Sequence, residues 1–206
     1  MAITYPLALP THTGIQSVSI RANDTVGMNV SPYSAAQQVY KYTGQFWEAD
    51  ISLPTMKRED AEYWVTFIMK LNGSYGTFLL GDPNAATPRG VATGTPLVNG
   101  ASQTGNELVT DGWTTSTTGI MKAGDYIQLG TGSDSRLYKV LDDVDSDASG
   151  NATLTIWPNL RSSPSDNQAI VTTNCKGVFR LSNNMMEMNI NEASLYGVTF
   201  GAKEAL

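Results

Sequence analysis

The sequence predicts a mainly β protein: a discontinuous, β-sandwich-like domain with one helix, carrying an inserted small β-barrel of OB-like kind. Three observations predict it. Charged residues are 16% of the chain, against about 25% in an ordinary soluble domain, while Gly, Thr, Ser and Asn are plentiful and β-branched residues come in short runs. Two segments, Gly76-Thr77-Phe78-Leu79-Leu80-Gly81-Asp82 and Gly177-Val178-Phe179-Arg180-Leu181-Ser182-Asn183, share Gly-x-Phe-x-Leu-x-Asp/Asn. That alternation puts Phe and Leu on one face of a strand and ends on a turn-forming residue, as expected of a chain leaving one domain and re-entering it. Between them the texture changes to Gly, Thr, Ser and Asp around short apolar islands. The expected division is residues 1–85 plus 176–206 for the first domain and 86–175 for the insertion.

Within the first domain, Val18, Ile20 and Ala22 alternate with Ser17, Ser19 and Arg21 and predict a strand. Gln38–Tyr42 and Gln45–Leu53 flank Thr43-Gly44, a spacing that predicts a tight hairpin. In the second of these strands Trp47, Ala49, Ile51 and Leu53 face a core, and Glu48, Asp50 and Ser52 face away. After Pro54 the period changes: Ala61, Trp64, Val65, Ile68 and Met69 form a helical stripe, Glu59 and Asp60 suit the N-terminal end, and Asn72-Gly73 is a stop signal. The aromatic residues Tyr63, Trp64 and Phe67 on this helix read as core in preference to a ligand box.

The insertion has six islands: Thr95–Val98, Glu107–Thr110, Tyr126–Leu129, Arg136–Leu141, Thr153–Trp157 and Ala169–Val171. Six short strands with turn residues between them predict a small barrel or sandwich. After Lys176 the first composition returns, with strands expected at Val178–Leu181, Met185–Ile190 and Leu195–Gly201 and a tail at Ala202–Leu206. Met185, Met186 and Met188 read as adaptable core packing, with a partner-facing surface as the alternative.

Charge and residue inventory exclude several functions. Thirteen Lys and Arg against nineteen Asp and Glu give a net charge of −6, so no broad cationic surface is available for nucleic acid. No run approaches ~18 apolar residues and the N-terminus has no basic n-region, so neither membrane insertion nor a secretion signal is expected. His12 and Cys175 are the single histidine and cysteine. They cannot form a zinc set, and there is no Gly-x-Ser-x-Gly elbow for a nucleophilic triad. His12 reads as an exposed loop residue and Cys175 as packing. Asp143, Asp145 and Asp147 match the first ligand positions of a calcium loop, but Ala148 replaces the turn glycine and Leu154 the terminal glutamate. Ordinary hairpin-tip chemistry explains the cluster. Gly130–Ser135 lacks the ending of a phosphate loop and reads as a hairpin connection. No catalytic, cofactor or metal residue is assigned, and the chain is not expected to be an enzyme.

Tyr75–Asn84 before the insertion and Gly177–Leu181 after it, with Ala123–Leu129 and Leu154–Arg161 inside it, resemble the distal tail proteins of tailed, siphovirus-like bacteriophages. The resemblance implies a structural component of the virion, made in the host cytoplasm. It implies a ring, usually a hexamer, that joins the tail tube to the tip or baseplate hub; the first domain builds the ring and the second projects outward. Partners would then be further copies of the chain, the tube protein and tip or hub proteins. The alternative is a carbohydrate-binding module on the insertion, touching host glycans through Trp113 and Trp157; burial in the barrel is the competing reading of both. A hydrolase using a carboxylate pair ranks third, since no pair stands out. Were Glu48, Asp50, Glu59 and Asp60 to line a ring's lumen, they would repel DNA and ease its passage.

Overall fold

The computed structural model describes residues 3–185, 188–190 and 195–206. They form two antiparallel sheets and one α-helix, so the mainly β, one-helix expectation holds. The first sheet has the order β1 (Ser17–Val30), β2 (Gln37–Ser52), β12 (Tyr196–Glu204), β10 (Gly177–Leu181), β3 (Phe78–Leu80), with β11 (Met188–Ile190) paired to the start of β12. The two matching segments of the sequence are neighbours in it: Phe78 lies opposite Phe179 and Leu80 opposite Gly177. The chain thus leaves the first sheet and returns to it on adjacent strands. Leu7 extends the β3 edge through a parallel bridge to Phe78.

Helix α1 (Arg58–Lys70) covers one face of this sheet. Its Ala61, Trp64, Val65, Phe67 and Ile68 are buried with Trp47, Ala49, Ile51, Phe78 and Phe179. Phe67 takes the place expected of Met69, which is exposed, because the buried stripe centres on Trp64 and Ile68. The helix stops where expected: Asn72 and Gly73 both adopt positive φ, 51° and 66°, the left-handed geometry that ends helices. Trp64 is fully buried, and its indole donates to Thr13 Oγ1 at 2.7 Å. The ring of exposed His12 stacks on Tyr63 at 3.6 Å. Since Ala49 and Ile51 face the helix, Glu48 and Asp50 face the other way. The four carboxylates considered for a lumen therefore lie on opposite layers, Glu59 and Asp60 being in the first turn of α1.

Two expectations are corrected. Thr43-Gly44 makes no hairpin; Gln37–Ser52 is one continuous strand. The register runs from Asp24 opposite Gln45 directly to Val26 opposite Lys41, so Tyr42, Thr43 and Gly44 share the place of Thr25 in a bulge. Gly44 lies close against Thr25, where a Cβ would come within 2.7 Å of Thr25 Oγ1 and make that side chain shift. Glycine in a β pattern marks a bulge as readily as a turn, and the turn itself falls at Ser31–Ala36, where Ser31 N–H donates to Ala36 O. Nor is Ala202–Leu206 a free tail. Ala202, Lys203 and Glu204 continue β12, and Glu204 and Ala205 are buried. Of the methionine cluster, Met185 is exposed and Met186 lies outside the described residues.

The second sheet contains all six expected strands: β4 (Gly94–Val98), β5 (Glu107–Trp113), β6 (Tyr126–Leu129), β7 (Arg136–Val140), β8 (Ala152–Trp157) and β9 (Ile170–Val171). Their order is β4-β5-β8-β7-β6-β9. Val98 N–H donates to Gln168 O at 2.9 Å and Leu97 bridges Ala169, so the sheet nearly closes on itself as a barrel. It has six strands, one more than a five-stranded OB barrel. Its core contains Val98, Leu108, Trp113, Ile127, Tyr138 and Leu154.

One buried carboxylate organises the barrel's entrance. Asp125, 3% exposed, accepts backbone N–H bonds from Arg89 at 2.6 Å, Gly90 at 3.0 Å and Lys122 at 2.9 Å. Asp125→Ala would leave three donors unpaired, each worth about 1–3 kcal/mol when buried. Partial water entry lowers the sum, and we expect a loss of about 3 kcal/mol in urea unfolding, with Asp125→Asn losing less because it keeps an acceptor.

Candidate assembly surface

The first sheet carries one feature that its own core does not use. β12 pairs β2 only from Glu48 to Ser52. Beyond that, toward its N-terminal end, β2 pairs only with β1 among the described residues, and the two strands run out as a ribbon past the bulge. Six residues, Thr25–Val30, lie between Asp24 and the turn beginning at Ser31, a reach of about 20 Å at the usual strand rise. Bulges bend and twist a ribbon at their position, so the bulge at Thr25 sets the direction in which this arm leaves the sheet.

The arm's surface is unlike a solvated one. Across the eighteen residues Thr25–Tyr42 the single charged side chain is Lys41. The cross-strand register puts Val26, Met28, Val30 and Val39 on one face with Lys41. Tyr40 and Tyr42 lie on the other, where Tyr42 packs over Gly27. All six of these apolar residues are about half exposed, from 48% at Tyr40 to 59% at Met28, and Tyr33 at the tip is 98% exposed. A ribbon lying on its own protein would hide one apolar face and keep the other polar. This one exposes apolar residues on both, the pattern of a segment buried between subunits.

At its root the arm meets the second sheet. Asp24 Oδ1 accepts from Gln45 Nε2 at 2.7 Å and from Trp157 Nε1 at 3.2 Å, and Gln45 Oε1 accepts the Asn159 N–H at 2.8 Å. Glu204, 5% exposed, accepts from the Trp47 N–H and from both Nε and Nη2 of Arg161. Arg161 also brings a backbone N–H to Tyr138 Oη; burial raises the Tyr138 phenol above its ordinary value of 10.0.

The residues singled out from the sequence fall elsewhere. Trp113 is 4% exposed inside the barrel, its indole bonded to Thr110. Trp157 is half-buried and stands edge-on to Trp47 at 4.4 Å. The structure does not bring the two together on one open face. Asp143 accepts the Ala123 N–H and Asp145 the Gly119 N–H, while Asp147 accepts from Asn151 and then Ser149, which lowers its carboxyl below the ordinary 3.8. Each carboxylate fixes a loop. Among the described residues no group of three or more His, Cys, Asp or Glu is placed to hold a metal ion. Sequence reasoning missed the arm, although one charge in eighteen residues was there to be counted.

Cys175 is buried, its thiol facing the carbonyls of Val171 at 3.2 Å and Tyr126 at 3.3 Å. Burial pushes its pKa from 9.0 up to about 12. A raised folded-state value stabilises the fold below pH 9 and is lost as pH rises from 9 toward 12. The native thiol should therefore resist disulfide reagents at pH 8 and react on unfolding, and stability should fall more steeply between pH 9 and 12 in the parent than in Cys175→Ser, followed by urea midpoints.

With the arm and barrel described, comparison with known proteins separates the two sheets. Residues 84–175, the span that contains the whole second sheet, match the family described as "Distal tail protein pb9, B domain". Over these residues the chain is similar to phage distal tail proteins. The match spans just under half of the chain, and over it the resemblance expected from the sequence holds. No curated protein gives a match to the chain. A distal tail protein is a structural component of a phage tail that assembles with other tail proteins. The apolar arm lies outside the matched residues, on the part of the chain that pairs β1 with β2.

Proposed function

We propose that this chain is a distal tail protein and builds a ring by self-association, with residues 1–85 plus 176–206 as the ring-forming unit and 86–175 as the unit projecting from it. The observation that carries the reading is the arm: two apolar faces, a fully exposed tip and one charge in eighteen residues. A closed ring needs a heterologous contact, in which one surface of each copy meets a different surface of the next. A projecting arm supplies one half of such a contact without requiring the same arm on the partner. Among the described residues no further strand pairs with the ribbon's edges, which leaves backbone donors and acceptors that a neighbour would satisfy.

In this reading the ring, a hexamer by resemblance, joins the tail tube to the tip or baseplate hub, and the chain does no catalysis. Negative-stain microscopy across a concentration series, with light scattering on the same samples, tests it. Rings with a central opening are the expected result. A chain that stays monomeric at high concentration and also fails to bind tube and hub proteins sinks the proposal.

A further inference from the structure

The two sheets meet in one apolar cluster. Trp47, Tyr126, Leu137 and Cys175 are buried there together with the core of the first sheet, and Trp157 and Val171 pack against them. Beside this contact lies a cleft of about 890 Å³, lined by Val18 and Ile20 of β1, by most of residues 8–15, and by Tyr126, Lys139 and Lys176. Ligand-binding clefts run from about 300 to 1,000 Å³. Lys139 Nζ donates to Tyr126 Oη at 3.2 Å and stands 4.6 Å from the centre of its ring. Tyr126 is 5% exposed, so the ammonium is held against a fixed side chain. Lys139 is half-buried, yet among the described residues neither it nor Lys176 has a carboxylate partner. Asp82 is the one carboxylate in the lining, and its Oδ1 takes the Asn84 N–H at 2.9 Å. Asp125, next to Tyr126 in the chain, gives both oxygens to backbone N–H donors. Backbone groups stand open as well. The Leu7 N–H donates to Thr77 O and the Gln16 N–H to Ser52 O, but no backbone N–H of residues 8–15 has a partner among the described residues. On the adjoining edge of β3 the Leu79 N–H donates to Leu7 O; its C=O points to the same side, where no further strand pairs with it.

We propose that this cleft is a docking site for an extended, acidic segment of another protein, one of whose carboxylates pairs with Lys139. A cation taken partly out of water without a counter-charge is unfavourable by itself, and a carboxylate brought into the cleft supplies the missing charge as a charge-assisted hydrogen bond. Lys176 provides a second, more exposed cation for an acidic residue further along the segment. An extended peptide suits the rest of the lining. Its main chain can bond the open N–H groups of residues 8–15 and the Leu79 C=O, as a strand added to an edge does, while alternate side chains enter pockets. Leu9, Ile15, Val18 and Ile20, all half-buried, give those pockets aliphatic walls. A saccharide fits less well. Among the lining residues Tyr126 alone is aromatic, and Lys139 covers its ring, so no open aromatic face is left for a sugar to stack on. None of the arm's residues lines the cleft, and the site does not depend on ring formation.

Fluorescence anisotropy on the full chain tests this with three labelled probes: a short peptide alternating valine and glutamate, its counterpart alternating valine and lysine, and an oligogalacturonate as an anionic saccharide. The valine–glutamate peptide should bind and the other two should not. Lys139→Gln should weaken that binding about tenfold or more, the loss expected for one hydrogen bond between charged groups, while Lys139→Arg keeps the charge and most of the affinity. Circular dichroism checks the fold of each variant. Should Lys139→Gln fail to fold, Lys176→Gln, at an exposed position, should still weaken binding measurably. No binding of the valine–glutamate peptide at millimolar concentration overturns the proposal, as does equal binding of either other probe or unchanged binding in a folded Lys139→Gln chain. Light scattering on the same samples identifies the occupant's source: self-association that is lost in Lys139→Gln would seat a second copy of the chain in the cleft and overturn the assignment to another protein.

Discussion

Replacing Met28 and Val39 together by aspartate is expected to abolish self-association while leaving each chain folded. The two residues lie opposite each other on the aliphatic face of the arm, 59% and 58% exposed, so neither contributes to the core and the substitutions cost the isolated chain little. In the proposed ring the same face is removed from water. Burying the exposed half of a Val or Met side chain is worth about 1 kcal/mol, and the carboxylates would add a desolvation penalty with only Lys41 near enough to pair with one of them. A loss of about 3 kcal/mol per contact weakens association about a hundredfold. Light scattering on size-fractionated protein measures the shift, and circular dichroism checks the fold. Assembly at parental concentrations would remove the arm from the interface. The aromatic face provides a separate reading: Tyr40→Ser with Tyr42→Ser tests whether the second face is also covered.

The second large effect is expected at Arg161. Arg161→Met should destabilise the protein by about 3–5 kcal/mol, because it leaves Glu204 charged and buried with only the Trp47 N–H as partner. Side-chain exposure of 12% for Arg161 and 3% for Glu204 excludes the water that would otherwise compensate. The double variant Arg161→Met with Glu204→Leu should recover most of the loss, since a buried pair replaced by apolar groups of similar volume is often neutral. Urea unfolding of the parent, both single variants and the double variant closes the cycle. Additive losses would mean that the pair is not coupled. Arg21 with Asp50 is the control: both are half exposed, and removing such a surface pair should cost at most about 1 kcal/mol.

Some residues declared their structure without help. The stripe Ala61, Trp64, Val65, Ile68 with Asn72-Gly73 behind it specified a helix and its end, because a period of 3.6 and a left-handed stop are local properties. The six islands of the insertion became six strands because alternation and turn residues act over a few positions. The paired Gly-x-Phe-x-Leu segments became neighbours because both need the same apolar surface, the one that Phe67 and Trp64 provide. The likeness to distal tail proteins over residues 84–175 was legible there too.

Other residues could not be read one segment at a time. Gly44 signals a turn and a bulge equally, and which one forms depends on Thr25 across the ribbon, nineteen positions earlier. Glu204 looks like the polar end of a tail until Arg161, forty-three residues before it, makes its burial affordable. Val26, Met28, Val39, Tyr40 and Tyr42 have the composition of a core strand, and only the place where β12 stops pairing with β2 leaves them without one. The sequence by itself determined most of the strands and the one helix, since these follow from composition and short-range periodicity. The tertiary structure alone decided that the apolar ribbon projects as an arm, that its root and the barrel share a buried polar junction, and that Trp113 is enclosed, because each depends on which distant segment arrives to cover a surface or leaves it bare.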